Sequence, residues 1–541
     1  LGHRLNDLTL YSIADLGPGQ VMPGMADLVR HRVLRDGGRG LEFINEFVRT
    51  AAYLEVPSPV RRALHASIAE RLMEEERRGV RFLGLEIAWH ATRAGRAADV
   101  PAYLLRGATE AIAQGALDAA ARALSTARQQ LAPADHTTAA LLLTEVLQEQ
   151  GRWAESANVL STEITARSSP LGTIFAILAE HRTEAPAGRQ LARDLGRLHS
   201  IVESDSPMHV RLKAANAGAQ LMGDVRDQSI AQALLMAVER LNRDNLTEDE
   251  QNQLDLCRAQ LLYYAGRQRD TLKVLTDVVA FFHARGIANS TLVRAYTGLG
   301  AVRCYQGKYE EARTEYSAGH SIAARIGNEP QQAILAAQLA LCCLRLGEYS
   351  EQLEWSRQAA AIGHPFSRYQ ELQAAYYQAF ALAMRGDAAG SLQTFATLDS
   401  RIPPESPPWL TQAWKLLRAD ILCLCGQHAA ALSQAREALA LPHPVLRAAS
   451  FAGAFARWLA LVSEREGTLP TIRPILEDLG RKLDAFDALD RVEITCARLI
   501  ASGSVVIAGN LQSELAAQLA ELSPAVVTQL GRLGALRVST A

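Results

Sequence analysis

The sequence is poor in aromatic residues and carries no surplus of either charge. Aromatic side chains make up 6% of its 541 residues, and 56 Lys and Arg nearly balance 58 Asp and Glu, giving a formal net charge of −2. Proteins that bind nucleic acid usually present a basic surface, so this balance gives no general reason to expect such a partner. Leu and Ala recur at steps of three and four residues, which favours helix over sheet.

Long apolar runs, metal-binding cysteine patterns and phosphate-binding loops are also missing. No window of about 18 apolar residues is present, so we predict no membrane span. The seven cysteines are odd in number and form no C-x-x-C pair, as expected for core residues in a reduced cytoplasm. Neither a G-x-x-x-x-G-K-[ST] loop nor a common hydrolase motif occurs. We therefore predict that this cytoplasmic chain is not itself an enzyme and holds no metal or cofactor.

The sequence does contain a glycine that recurs about every 40 residues between two amphipathic helices. Glycine suits this position because the chain can leave the first helix through a left-handed cap. The main series is Gly223, Gly266, Gly307, Gly347, Gly386, Gly426 and Gly467, and weaker members are Gly115 and Gly151.

The clearest repeat runs from Ala295 to Gly327. In it, Leu299-Gly300 permits close helix approach, and Tyr309, Ala312 and Tyr316 share one face of the second helix. This pattern resembles the tetratricopeptide repeat (TPR), although the period exceeds the usual 34 residues or so. Because one helix pair cannot bury its own apolar face, we predict an all-α, TPR-like α-solenoid superhelix.

The N-terminal region follows a different pattern. We predict a β-hairpin with strands Arg32–Arg35 and Leu41–Phe43 around the turn Asp36–Arg39, as in a winged helix. The predicted domains are the end of a winged helix (1–55), a helical linker (56–102), irregular repeats (103–205), regular repeats (206–488) and a C-terminal cap or linker (489–541), with a helix at Leu511–Leu522.

A set of spaced residues in the first 100 positions carries a family resemblance. The set is Phe43, Asn45, Glu46, Phe47, Arg49, Tyr53, Arg61, Leu64, His65, Ile68, Ala69, Leu72, Ile87, Ala88, His90, Ala94 and Gly95. It resembles the junction between the winged helix and the TPR region of STAND-type signalling ATPases, which include large LuxR-type and antibiotic-regulatory-type transcription activators. The resemblance implies a preceding nucleotide-binding domain that uses ATP or ADP, so we expect this chain to be a fragment.

One departure from the family pattern concerns nucleotide sensing. The family has His-Asp where this sequence has Asn45 and Glu46. The resemblance implies that this position senses nucleotide, and Asn can still donate a hydrogen bond there. The alternative is a helix start, because Asn is a good N-cap and Glu suits the positive helix N-terminus.

The predicted binding surface for a protein or small-molecule effector is the concave face of the repeats. Tyr and Arg are common interface anchors, although aromatic residues at these positions could instead pack helix against helix. The predicted groove residues are Gln253, Gln260, Tyr263, Tyr264, Arg294, Thr297, Tyr305, Gln373, Tyr376 and Phe380.

Two functional hypotheses follow, and a third is less favoured. The first is a sensing and autoinhibitory region of a STAND-type regulator, with transcription control as its readout. The second is a free-standing TPR scaffold with no ATPase. The third is DNA binding through the hairpin arginines Arg30, Arg32, Arg35 and Arg39, which would contact phosphates.

Overall fold

The computed structural model describes two compact units, Leu1–Val146 and Leu147–Ala541. No helix among the described residues is long and apolar enough to span a membrane. The described residues are 18–36, 41–79, 84–98, 100–128, 131, 133–183, 188–225, 228–244, 246–362, 368–399, 408–441, 452–483, 486–502 and 505–533.

In its described residues, the first unit consists of helices and one hairpin. Its elements are α1 (Pro18–Arg30), β1 (Leu34–Asp36), β2 (Leu41–Phe43), α2 (Glu46–Glu55), α3 (Ser58–Arg77), α4 (Gly84–Ala94), α5 (Val100–Ala113), α6 (Leu117–Arg128) and the start of α7 (Pro133–Glu149).

The hairpin is confirmed, but its first strand begins two residues later than predicted. The strands pair antiparallel, with Leu34 opposite Phe43 and Asp36 opposite Leu41. Arg32 has a φ of 56°, and this left-handed backbone cannot continue a strand. At its other end the strand includes Asp36, which was predicted to lie in the turn. The remaining predicted turn residues, residues 37–39, lie outside the described residues. Assignment of the hairpin to a winged helix stays a prediction.

The second unit is built from helices throughout its described residues. Its elements are the end of α7, then α8 (Trp153–Thr162), α9 (Ile164–Ser168), α10 (Pro170–Thr183), α11 (Gly188–Glu203), α12 (Met208–Val225), α13 (Gln228–Glu239), α14 (Glu248–Tyr264), α15 (Gln268–Arg285), α16 (Ser290–Tyr305), α17 (Tyr309–Ile326), α18 (Glu329–Leu346), α19 (Tyr349–Ala361), α20 (Arg368–Met384), α21 (Ala388–Asp399), α22 (Pro408–Leu424), α23 (His428–Leu439), α24 (Ala452–Glu466), α25 (Leu469–Gly480), α26 (Ala488–Ala501), α27 (Val505–Ala520) and α28 (Pro524–Arg532).

Left-handed glycines end the first helices of six successive pairs, as the repeat pattern predicted. From Gly266 to Gly467 their φ values lie between 70° and 89°. At Gly307, the next amide, Lys308 N–H, bonds to the Arg303 carbonyl at 2.9 Å and so closes the helix end. The prediction for Gly223 was wrong, because this residue lies inside α12.

The repeat at Ala295–Gly327 packs as its sequence indicates. A Cβ atom on Gly300 would lie 2.3 Å from a ring carbon of Tyr316, so only glycine lets α16 approach α17 this closely. Tyr309, Ala312 and Tyr316 are all buried on one side of α17. The pair therefore depends on a glycine in one helix and a tyrosine in the next.

The C-terminal region is more helical than predicted. Its middle helix, α27, begins at Val505 rather than Leu511 and ends at Ala520. The β-branched residues in "SGSVVIAGN" have low helix propensity, but Leu511 and Leu515 are buried, and such packing overrides propensity.

A buried charge cluster joins the last repeats to α26. The guanidinium of Arg457, only 1% exposed, donates to Asp420 at 2.7 Å and to Glu493 at 2.7 Å. Asp420 also accepts from the indole N–H of Trp458 at 2.7 Å and from the hydroxyl of Tyr376 at 3.2 Å. Removing one partner of such a cluster leaves an uncompensated buried charge, so these helices depend on one another.

Asp490 extends the cluster toward further carboxylates. Its side chain accepts from the Gly453 amide at 2.9 Å, and it is 4% exposed. Burial, with Asp487 and Glu493 nearby, raises the pKa of Asp490 well above its usual range. The folded protein therefore holds a proton on this carboxyl at pH values where the unfolded chain releases it.

We expect Asp490→Asn to remove a decline in stability with rising pH. The contribution of protonated Asp490 is full below about pH 4 and is lost as the pH rises through its raised folded-state pKa. Asn keeps the oxygen that accepts from Gly453 but has no proton to lose. We measure the free energy of unfolding in urea as a function of pH. Its slope against pH should be less negative for Asp490→Asn than for wild type, by up to about 1.4 kcal/mol per pH unit.

The exposed Asp277→Asn change alters net charge equally and serves as the control. Identical pH slopes for wild type and Asp490→Asn would mean that Asp490 is ionised in the folded protein.

Candidate functional site

The nucleotide-sensing position of the family starts a helix in this chain. Asn45 is the N-cap of α2, and its side chain accepts from the Val48 amide at 2.9 Å. Glu46 pairs with Arg49 one turn along: Nε of Arg49 donates to one carboxylate oxygen at 2.8 Å, and a second guanidinium nitrogen donates to the other oxygen. Both residues are exposed, so the cap role is a structural fact and the nucleotide role stays a prediction.

The helix that follows this cap is open to solvent. No residue of α2 is buried, and Phe47 is 87% exposed. Among the described residues, ten of the eleven exposed large hydrophobic side chains lie between residues 22 and 89. We call Phe47, Leu54, Val60, Leu64 and Trp89 the junction face. Exposed apolar residues gathered in one region mark an interaction site rather than ordinary surface.

Residues of the family motif meet beneath this face. Arg61 donates to the last carbonyls of α2, those of Tyr53 and Leu54, at 3.0 and 3.1 Å. The hydroxyl of Tyr53 lies 3.1 Å from Nε2 of His65, and Nδ1 of His65 lies 2.9 Å from Nδ1 of His90. The motif therefore builds a joint that connects α2, α3 and α4.

The two histidines of this joint cannot both be charged. Two ring nitrogens at hydrogen-bond distance require one donor and one acceptor, so both rings cannot be protonated. Burial, with His65 and Arg93 nearby, lowers the pKa of His90 to about 3. Burial also lowers the pKa of His65. Acid would place repelling charges inside the joint.

We expect acidification to loosen α3 and α4. The stability contributed by neutral His90 is present above about pH 6.5 and is lost as the pH falls toward the folded-state value of about 3. Hydrogen-exchange protection of residues 58–94, corrected for intrinsic rates, should therefore fall between about pH 7 and pH 5. His90→Asn should reduce this fall, because Asn can bond to His65 without titrating.

The exposed His209→Asn change is the control. An equal loss of protection in wild type and His90→Asn would show that the histidine pair is not the cause.

In the second unit, seven predicted groove residues lie on the neighbouring first helices α14 and α16. Tyr263 and Tyr264 end α14, and their ring centroids lie 5.4 Å apart. Tyr305, at the end of α16, lies 6.5 Å from Tyr263. These rings are half-buried, as is Gln260, whose Oε1 is buried without a hydrogen-bond partner among the described residues. Gln253 is half-buried, and its side-chain nitrogen donates to Asp249 at 2.8 Å.

Arg294 and Thr297 lie on the first three turns of α16. Arg294 is 13% exposed and reaches Glu149 at 3.8 Å. Thr297 donates to the carbonyl of Val293 at 3.0 Å and lies 3.4 Å from Oε1 of Gln331. We call Tyr263, Arg294, Thr297 and Tyr305 the inner cluster. It offers aromatic rings, a guanidinium and a hydroxyl, groups that recognise carboxylates and amides.

The predictions for Tyr376 and Phe380 as groove residues were wrong. Phe380 is fully buried, and Tyr376 is 7% exposed with its hydroxyl on Asp420. Their helix, α20, contacts α18, α21 and α22, so its aromatic residues fill the core on more than one side. The side chain of Gln373 lies outside the described residues.

Sequence reasoning missed two residues that the structure places beside Arg294. Glu149 accepts from Nδ2 of Asn328 at 2.7 Å, and the same amide donates to Ser290 at 2.9 Å. Asn328 also caps α18 by accepting from the Gln331 amide at 3.1 Å. The asparagine after Gly327 is a recognisable cap signal. Nothing in the sequence connects it to Glu149, which is 179 residues away.

One group of possible metal ligands occurs among the described residues. Atoms of Cys343, Glu348 and Glu351 lie within 4.8 Å of one another. Arg313 already pairs with Glu348 at 2.8 Å, and burial, with both carboxylates nearby, raises the pKa of the Cys343 thiol to about 12. A metal needs the thiolate, so this group fits a metal poorly.

Comparison with protein families identifies one stretch of the chain. Residues 291–363 match the tetratricopeptide repeat model. No curated protein matches the sequence. Among solved structures, a Rap protein complexed with Competence and Sporulation Factor is 12% identical with a TM-score of 0.40, covering 77% of this chain and 99% of its own.

Two further structures are similar to this chain. A STAND protein with a tetratricopeptide repeat sensor from Pyrococcus horikoshii is 13% identical, with a TM-score of 0.37, over 80% of this chain and 59% of its own. The apo form of the quorum sensor NprR from B. thuringiensis is 10% identical, with a TM-score of 0.41, over 64% of this chain and 98% of its own. Residues 291–363 are therefore tetratricopeptide repeats, and the predicted all-α, TPR-like solenoid is confirmed.

Proposed function

We propose that this chain is the sensing and autoinhibitory region of a STAND-type ATPase regulator. The repeats restrain a nucleotide-binding domain, and an effector on the inner cluster releases it. The observation that carries the proposal is the exposed junction face around α2, a helix with no buried residue and with Phe47 87% exposed.

The junction face needs a partner, and a globular domain fits it. Phe47 and Leu54 lie seven residues apart on one side of α2, and Val60 and Leu64 lie four apart on one side of α3. Leaving such apolar groups in water forfeits about 1.5–3 kcal/mol for each that burial would gain. The face adjoins the residues that match the STAND junction, so the partner we infer is the nucleotide-binding domain, with ATP or ADP.

The joint beneath the face suits transmission between that domain and the repeats. Arg61 ties the end of α2 to α3, and the His65–His90 pair ties α3 to α4. A shift of α2 would therefore strain the Arg61 and Tyr53 contacts first and, through His65, the buried contact with His90. Such contacts have two discrete arrangements, made or broken, which is what a switch requires.

On the sensing side, the inner cluster offers a contact that an effector can exchange. Arg294 faces Glu149 at 3.8 Å, longer than a direct hydrogen bond, and its Nε has no hydrogen-bond partner among the described residues. A carboxylate of a peptide or small molecule could make a bidentate pair there. The half-buried rings of Tyr263 and Tyr305 would pack against its apolar part.

The alternative is a free-standing scaffold in which the inner cluster binds a protein and no nucleotide is involved. The tetratricopeptide match at residues 291–363 supports this scaffold as well as it supports the STAND-type regulator, because such repeats need no ATPase to bind a partner. DNA binding by the hairpin is less favoured, since Arg30 already pairs with Asp27 at 3.1 Å.

The mass of the native gene product separates these functions. This chain is 58.7 kDa. A product heavier by roughly 30 kDa or more has room for the nucleotide-binding domain, and purified product should then retain ADP or ATP. A product no heavier than this chain would contradict the ATPase proposal and leave the scaffold.

We expect Phe47→Asp to act only where the nucleotide-binding domain is present. In this chain alone, the substitution should change the free energy of unfolding by less than about 0.5 kcal/mol, because Phe47 makes few contacts. In the native gene product, it should speed release of a fluorescent ADP analogue by about tenfold or more, since a buried charge opens the interface.

Thr50→Asp, also exposed on α2, places the same charge at a polar position of the helix. Equal release rates for the two variants would mean that the junction face has no partner in the native protein.

A further inference from the structure

The last described helix, α28, is hydrogen-bonded to the C-terminal ends of other helices. α28 lies against α18, and residues at its start and end reach main-chain carbonyls of the repeats. The hydroxyl of Ser523 donates to the Arg345 carbonyl at 2.6 Å, and the amide of Gln529 donates to the Leu344 carbonyl at 2.5 Å. Arg532 donates to the Met384 carbonyl at 3.2 Å. These acceptors lie in the last turns of α18 and α20.

Carbonyls in the last turn of a helix are open to such donors. The final four have no partner within the helix itself. At the end of α18, the amides of Gly347 and Glu348 bond to the carbonyls of Leu344 and Cys343. The Arg345 carbonyl accepts from Ser523, which lies 178 residues away in the sequence. The acceptor side of the contact is therefore mainly main chain, at the ends of α18 and α20.

Apolar contacts accompany these hydrogen bonds. Val526 and Leu530 are fully buried with Tyr309 and residues of α26 and α27. The Cβ of Ala525 lies 3.0 Å from the position that a Cβ on Gly347 would take. The left-handed glycine that ends the first helix thus also lets α28 come close.

Gln529 is the most specific contact. It is 1% exposed, and its side-chain oxygen accepts from a guanidinium nitrogen of Arg345 at 3.2 Å while its nitrogen donates to Leu344. Ser523 has two roles as well, since its oxygen also accepts from the Val526 amide and caps α28. Counted from Ser523, the docked pattern is a hydroxyl at Ser523, an apolar side chain three residues later at Val526, an amide six residues later at Gln529 and an apolar side chain seven residues later at Leu530.

We propose that α28 is a tethered ligand of the repeats, and that the surface beneath it is a second docking surface for a partner helix. We call this surface, formed by Tyr309, Leu344, Arg345, Gly347 and Met384, the helix-end surface. The partner is an amphipathic helix that carries the same four-residue pattern as Ser523–Leu530.

Two features favour exchange of one helix for another. The repeats contribute mainly main-chain carbonyls, so another helix with these donors would regain the same bonds. The recognised side chains span only eight residues, and a separate chain can supply them on one helix face. Because the tether gives α28 a high effective concentration, a partner must outcompete it, and binding is weak until α28 is released.

This inference goes beyond the proposed function, because it involves neither the junction face nor nucleotide. It is tested on the full chain with a fluorescein-labelled peptide of residues 521–533, ELSPAVVTQLGRL, by anisotropy. The variant Ser523→Ala with Gln529→Ala removes the donors to Arg345 and Leu344. We expect the peptide to bind this variant at least about tenfold more tightly than wild type, because the tethered competitor is weakened.

Hydrogen exchange of residues 524–532 shows whether α28 has been released. Exchange there should accelerate by about tenfold or more, while helices α14 to α17 keep their protection. Thr528→Ala, on the exposed side of α28, is the matched control and should leave both peptide affinity and exchange unchanged. A peptide with Gln529→Ala should bind at least about tenfold more weakly than the unmodified peptide.

Three results would overturn the proposal. One is unchanged exchange of α28 in the double variant, which would mean that these donors do not hold it. Another is a released α28 with no peptide binding. The third is loss of helical circular dichroism in both the double variant and a Val526→Asp variant, which would make α28 an integral part of the fold rather than a ligand.

Discussion

The left-handed glycine that ends the first helix of each pair from Gly266 to Gly467 is the constraint on which these repeats of the second unit depend. It closes the helix through the amide that follows it, as at Gly307 and Lys308, and sends the chain back along the next helix. Because it has no side chain, it also leaves room for other segments, as Ala525 shows beside Gly347. The left-handed glycine therefore sets the turn between the two helices of a repeat, and at Gly347 its missing side chain also leaves room for α28.

Polar contacts, rather than extra apolar area, fix how distant segments meet in this unit. Arg457 brings together Asp420 and Glu493 inside the core, and Asn328 joins Glu149 across 179 residues of sequence. Apolar helix faces tolerate sliding, whereas buried charges lose much of their stabilisation when one partner moves. The repeats thus have a defined arrangement at the inner cluster, which would preorganise Arg294 and the tyrosines for the effector that we propose.

The first unit has the opposite character. The joint buries the rings of His65 and His90, but the helix that leads into it buries none of its residues. Exposed apolar side chains gathered around such a helix are suited to an interface.

The sequence by itself determined the helical class, the turns at Gly266 to Gly467 and the hairpin, because these depend on local periodicity and on backbone conformations that few residues adopt. It also placed Tyr263, Arg294 and Tyr305 on one side of their helices. It could not separate exposed from core aromatics at Tyr376 and Phe380, since burial there depends on neighbouring helices. Only the tertiary structure decided the charge cluster at Arg457, the Glu149 contacts and the docking of α28, because these join residues that are distant in sequence, and no local pattern encodes such pairs.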